Sequence, residues 1–170
     1  MIGYLSAIAC LAIGWSPVQK PAFSFEGKGY FKRYSTSTMT EYTPTGEENL
    51  KTWTEMLTVN RYPDAGTGDG LAARANSVLE IYKANGAMVV RTDSMPRTAS
   101  KPAEHLIVVL FPKPEFIEAA FARFVIADGK GRSIVYSHRI YGKKAGDAMS
   151  AWLRKNGERC EKSLMKFVGA

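Results

Sequence analysis

Phe116-Ile-Glu-Ala-Ala-Phe-Ala-Arg-Phe-Val-Ile-Ala127, Asp128-Gly-Lys-Gly131 and Arg132-Ser-Ile-Val-Tyr-Ser-His-Arg-Ile-Tyr141 form the stretch whose reading decides the fold. Asp-Gly between two apolar, β-branched and aromatic runs is a strong short-range signal for a β-hairpin. Ala and Glu between Glu115 and Phe124 also favour helix. A strand is preferred for the C-terminal half of the first run because Ser133–Tyr141 needs a partner across the turn. Upstream, His105-Leu-Ile-Val-Val-Leu-Phe111 is apolar at odd and even positions alike, which places it inside a sheet. A Pro- and Ser-bearing loop separates it from a further strand over 87–92.

Toward the N-terminus, 30–42 is rich in aromatic and β-branched residues and reads as one or two strands. Thr43-Pro-Thr-Gly-Glu-Glu-Asn49 is turn chemistry. Over 53–62, Trp53, Leu57 and Val59 share one face of a half-buried strand, and Glu55 interrupts that face. After the glycine-rich loop 63–70, Leu71, Ala75, Val78, Leu79 and Tyr82 recur at helical spacing, and Asn85-Gly86 supplies the stop. At the other end, Met149, Trp152 and Leu153 mark a second helix. Asn156-Gly157 offers it a cap, with 160–168 as a second turn or a continuation. The order of strands, helix, four strands, helix predicts an α+β domain with a mainly antiparallel sheet and both helices on one face.

The first charged side chain is Lys20, and Ile2–Trp15 is almost wholly apolar or small. That run is too short to span a bilayer and suits the core of an export signal. Residues 1–22 are therefore expected to be a signal peptide and 23–170 a single domain in the periplasm or secreted. Ala7-Ile8-Ala9 and the segment from Pro17 to Ala22 are the candidate cleavage regions, and Cys10 resembles a lipoprotein acceptor. The rival reading is a buried element at the start of a cytoplasmic fold.

The chain has 170 residues, 45% of them hydrophobic and 23% charged, within the range of globular domains. Cys10 and Cys160 are its cysteines, and removal of the leader leaves no disulfide framework. Cys160, followed by Leu164, Phe167 and Val168, reads as a buried thiol on an apolar stripe. The net charge is +7, and from Asp128 onward ten Lys and Arg oppose four acids. Lys155, Arg159 and Lys162 are accordingly candidates to meet an acidic envelope protein or another anionic surface. Exposed aromatics do not interleave with these cations, so nucleic acid is not the expected partner.

Gly66-Thr-Gly-Asp-Gly70 stands where a phosphate cradle would lie, but it departs from both the dinucleotide fingerprint and the P-loop. It reads as a connection into a helix. The two histidines, His105 and His138, lack metal-ligand spacing, and no nucleophile motif is present, so neither metal nor cofactor is expected. Glu55 needs a cation or donors if it faces the core. Arg61, Arg91 and Arg139 are strand-borne candidates. His138 has the strand parity of Ile134, Tyr136 and Ile140. If a pocket exists between sheet and helices, Trp53, Glu55, Arg61, His138 and Arg139 are its candidate ligand-binding residues.

Glu41-Tyr-Thr-Pro-Thr-Gly-Glu-Glu48 and Trp53-Thr-Glu-Met-Leu-Thr-Val59 resemble an E-[YF]-x-P-x-G-E turn and a W-T-x-M-x-T-V strand. These motifs belong to small exported proteobacterial proteins of unknown function. The resemblance covers about 41–62 and implies an exported α+β domain, with no activity attached. The topology is also similar to the Mog1/PsbP-like sandwich, an analogy of fold alone.

The expected function is a non-enzymatic exported binding or accessory domain of the bacterial envelope. A small-ligand binder or enzyme with a pocket between sheet and helices is the alternative. If the Trp53 ring belongs to the core, Trp53→Ala should lower the free energy of unfolding in urea by about 3–5 kcal/mol. A much smaller loss would mark it as an exposed binding aromatic.

Overall fold

The computed structural model describes residues 20–169. Four strands, β1 (Phe23–Phe25), β2 (Lys28–Ser35), β3 (Met39–Pro44) and β4 (Glu55–Tyr62), precede α1 (Gly68–Ala84). Four more follow, β5 (Met88–Met95), β6 (Glu104–Pro112), β7 (Phe116–Ala127) and β8 (Lys130–Tyr141), and then α2 (Ala145–Lys166). All eight strands form one antiparallel sheet in the order β1-β2-β3-β4-β8-β7-β6-β5. Each half of the chain is thus a four-stranded meander closed by a helix, and the halves meet where β4 pairs β8.

The Asp128-Gly129 turn sets the central register. Both residues have left-handed backbone, φ 52° and 70°, as a two-residue hairpin turn requires. Ala127 then opposes Lys130, and the ladder runs without a slip to Phe116 opposite Tyr141. β7 is strand throughout, so cross-strand pairing overrides the helix propensity of its first half.

The α+β class, the antiparallel sheet and the two helices are as expected, but the helices lie on opposite faces. Alternation makes this necessary. Leu106, Val108, Phe121, Ile134 and Tyr136 point to one side, where Met149, Cys160 and Leu164 of α2 cover them. Ile107, Val109, Ala120, Ala122, Phe124 and Val135 point to the other, where Leu71 and Ala75 of α1 cover them. A strand apolar on both faces needs a cover on each.

Of the two readings of the C-terminal helix the continuation holds, since α2 runs through Asn156-Gly157 without a break. One further detail departs from expectation. Trp53 precedes β4, and its ring lies beside Arg139, away from the face shared by Leu57 and Val59. The leader expected over 1–22 falls outside the described residues except for its last three, of which Ala22 donates a backbone hydrogen bond to Tyr30 at 2.8 Å. Cys160 is buried, as its stripe predicts.

Close backbone approach fixes where α1 starts. A Cβ at Gly66 would sit 2.3 Å from the carbonyl oxygen of Gly129, and one at Gly131 would sit 2.7 Å from Ala65. The loop ahead of α1 therefore lies directly on the β7–β8 turn. Thr67 is the N-cap, its hydroxyl accepting from the Gly70 amide at 3.1 Å. The glycine-rich segment is a tightly seated helix entry.

On the opposite face, Arg123 of β7 is only 7% exposed. Its Nε and one terminal nitrogen each donate to a different oxygen of Glu104 at 2.8 Å. The other terminal nitrogen donates to the carbonyls of Leu164 and Phe167 at the end of α2, at 3.1 and 2.7 Å. β5, by contrast, closes one edge of the sheet with Met88–Ser94 exposed throughout. Arg123→Ala leaves Glu104 without its cation and the helix end without its donor, and should cost about 3–5 kcal/mol in chemical unfolding. A cost below about 1 kcal/mol would show that water replaces the guanidinium without loss.

Candidate ligand-binding groove

α1 crosses β6 and β7 and does not extend over the rest of its face. Beside it the sheet surface stays open as a groove of about 380 Å³. Thr58 and Asn60 of β4, Val135 and Ser137 of β8 and Ala120 of β7 line it. Tyr82 and Asn85 close it on the helix side, and Met39, Phe111 and Phe116 add apolar lining. Tyr82 and Phe111 meet edge to face at 5.3 Å. Burial pushes the Tyr82 hydroxyl pKa well up, so it remains a neutral phenol.

The charged lining is Lys113, Glu118 and Arg139. Hairpin register puts Glu118 directly opposite Arg139, and Arg139 Nε donates to its carboxylate at 2.8 Å. The guanidinium carbon lies 3.8 Å from the Trp53 ring centroid and 4.3 Å from that of Phe116. Contact with the two aromatic rings helps to fix the cation in place. The Trp53 segment is itself tied to β8: Arg139 donates its backbone N–H to Thr54, and the Tyr141 hydroxyl donates to the Trp53 carbonyl. Lys113 Nζ donates to the carbonyl of Asn85 at 3.3 Å.

The sequence candidates divide between the two faces. Arg139 lines the groove, and Trp53 is buried against Arg139 without lining it. Glu55 and His138 pair across β4 and β8 on the α2 face. Glu55 accepts from Lys28 Nζ at 2.7 Å and from the Tyr30 hydroxyl at 3.2 Å, so its cation is Lys28, none of the three arginines considered. Burial, and then the Glu55 charge, raise the Tyr30 pKa far above its ordinary value and keep it a donor. Arg61 donates to the Thr40 hydroxyl at 3.1 Å, near the other end of β4. Glu55, Arg61 and His138 do not share a cavity with the groove. Phe116 and Glu118, which sequence reading left out, follow from counting the hairpin register outward from Asp128-Gly129.

Of the three α2 cations, Lys155 is exposed, Arg159 pairs with Glu26 and Lys162 pairs with Glu158 at 2.5 Å. Arg159 and Lys162 border a depression of about 250 Å³ with Glu158, Ser163 and Lys166. Among the described residues no helix is long and apolar enough to cross a membrane, and no three His, Cys, Asp or Glu are placed to hold a metal ion.

A model of a bacterial protein family of uncharacterised function matches residues 18–168. The chain belongs to that family. No curated protein matches it. Among solved structures, a point mutant of protein Mog1 is 9% identical, with 81% of this chain and 84% of that one covered and a TM-score of 0.52. The Saccharomyces cerevisiae Ran-binding protein Mog1p is also 9% identical, with 81% and 83% covered and a TM-score of 0.49. Human STARD10 is 9% identical, with 81% and 74% covered and a TM-score of 0.34. At 9% identity the likeness to the Mog1 mutant is one of fold, and the two lower scores carry no argument.

His138 supplies a pH test of the α2 face. Its ring stacks on Trp152 at 4.1 Å and 9°, and its Nδ1 is buried without a hydrogen-bond partner among the described residues. Desolvation is the main cause that lowers its pKa below the ordinary 6.5. The folded state therefore binds fewer protons than the unfolded state as pH falls through that range. The stability contributed by neutral His138 is full above the unfolded value and is lost on acidification. Between about pH 7 and about pH 5, the melting temperature of His138→Phe should fall less than that of the parent; equal falls would remove His138 from the account.

Proposed function

We propose that the protein is a non-enzymatic binding domain of the bacterial envelope, exported by its N-terminal leader, and that the groove beside α1 holds a small ligand. The observation that carries this reading is the lining itself. Aromatic and aliphatic side chains lie beside hydroxyl and amide groups, with one clamped cation at the rim. That mixture is the usual make-up of a small-molecule site, and the volume falls at the lower end of the usual range. Thr58 and Asn60 are half-buried on strands, so a ligand there meets a rigid floor. The uncharged run ahead of Lys20 supports export.

The experiment combines compartment and occupancy. The mature protein should fractionate with the periplasm or medium and have an intact mass lacking the leader; a cytoplasmic product retaining Met1 overturns the envelope assignment. Small molecules extracted from the same compartment should raise the melting temperature of the parent and leave Thr58→Trp, which fills the groove, unshifted. Equal shifts in both proteins, or none in the parent, overturn the groove as the binding site.

A further inference from the structure

We propose that the groove is selective for small amphipathic monocarboxylates, the carboxylate held by the terminal nitrogens of Arg139 and the apolar body lying along Phe116, Phe111 and Tyr82. This rests on the groove being the binding site. A guanidinium has five N–H donors. Among the described residues the side chain of Arg139 spends one of them, from Nε to Glu118, and neither terminal nitrogen makes a hydrogen bond. Two rings pack against the ion and its side chain is 19% exposed. A charge partly shielded from water gains from acceptors placed at its terminal nitrogens. The planar fork between two terminal nitrogens matches a carboxylate and binds it bidentately.

The surroundings define the charge and size of the guest. Lys113 adds a second cation to the lining, where it also lies over the Phe111 ring at 5.8 Å. Glu118 is the lining carboxylate, and Glu41 of β3 is close enough to interact with Arg139 electrostatically. The two lining cations are opposed by Glu118 and, from β3, by Glu41, so little positive charge remains to hold a dianion such as a phosphate monoester. Thr58 and Ser137 add hydroxyls to the lining.

The test is calorimetric titration of the purified chain with 4-phenylbutyrate, 4-phenylbutanol, 4-phenylbutylamine and 4-phenylbutyl phosphate. The carboxylate should bind at least tenfold more tightly than each of the others. Arg139→Lys keeps a cation beside the rings but removes the fork, and should weaken carboxylate binding at least tenfold while leaving binding of the alcohol unchanged. Glu41→Gln should tighten the carboxylate severalfold. Equal binding of carboxylate and alcohol, abolished together by Thr58→Trp, overturns the anion selectivity and leaves the groove intact. Carboxylate binding indifferent to Arg139→Lys, or no carboxylate binding, also overturns it. Binding indifferent to Thr58→Trp overturns the groove reading beneath it.

Discussion

The structure depends on a buried guanidinium. Arg123 reaches Glu104 with two N–H groups and the last carbonyls of α2 with another nitrogen. Helix carbonyls without partners carry partial negative charge, so a cation there stabilises the end of α2 as well as the Glu104 carboxylate. The bond to the Phe167 carbonyl also places the Phe167 ring, which packs at 5.0 Å on Phe23 and 5.5 Å on Phe25. Phe23 and Phe25 belong to β1, at the far edge from β5. One side chain on β7 thereby couples the sheet interior, the helix that covers it and a strand of only three residues.

Small residues on β7 let both covers approach. Ala119 faces α2, Ala120 and Ala122 face α1, and all three are buried. The covers are unequal in reach. α1 starts where its entry loop is seated on the β7–β8 turn, and from there it runs over β6 and β7. The groove is what that placement leaves bare on β4 and β8. Its position follows from two glycine contacts at Gly66 and Gly131, while its chemistry comes from the opposite end of the hairpin.

Much of this was legible before any coordinates. Asp128-Gly129 announces the hairpin, the double-sided apolarity of His105–Phe111 announces an interior strand, and Asn85-Gly86 ends α1 as its chemistry predicts. The same double-sided apolarity implies a helix on each face, an inference that periodicity within each helix does not supply. Trp53 was harder, because strand parity does not extend past Glu55 into the preceding loop. Pairing Arg139 with Glu118 needed only register. Finding Lys28 for Glu55 needed the β2–β3–β4 arrangement, which no local pattern encodes.

β5 has a consequence of a different kind. Met88, Val89 and Val90 are exposed on an edge strand whose outer backbone has no neighbouring strand among the described residues. Such an edge is a template for runaway pairing between molecules. Here the register slips between Val89 and Arg91, and Arg91 and Asp93 place exposed charges immediately beyond. The irregular stretch and the charges act as gatekeepers, discouraging the sticky end of the strand from growing into a fibril at high concentration.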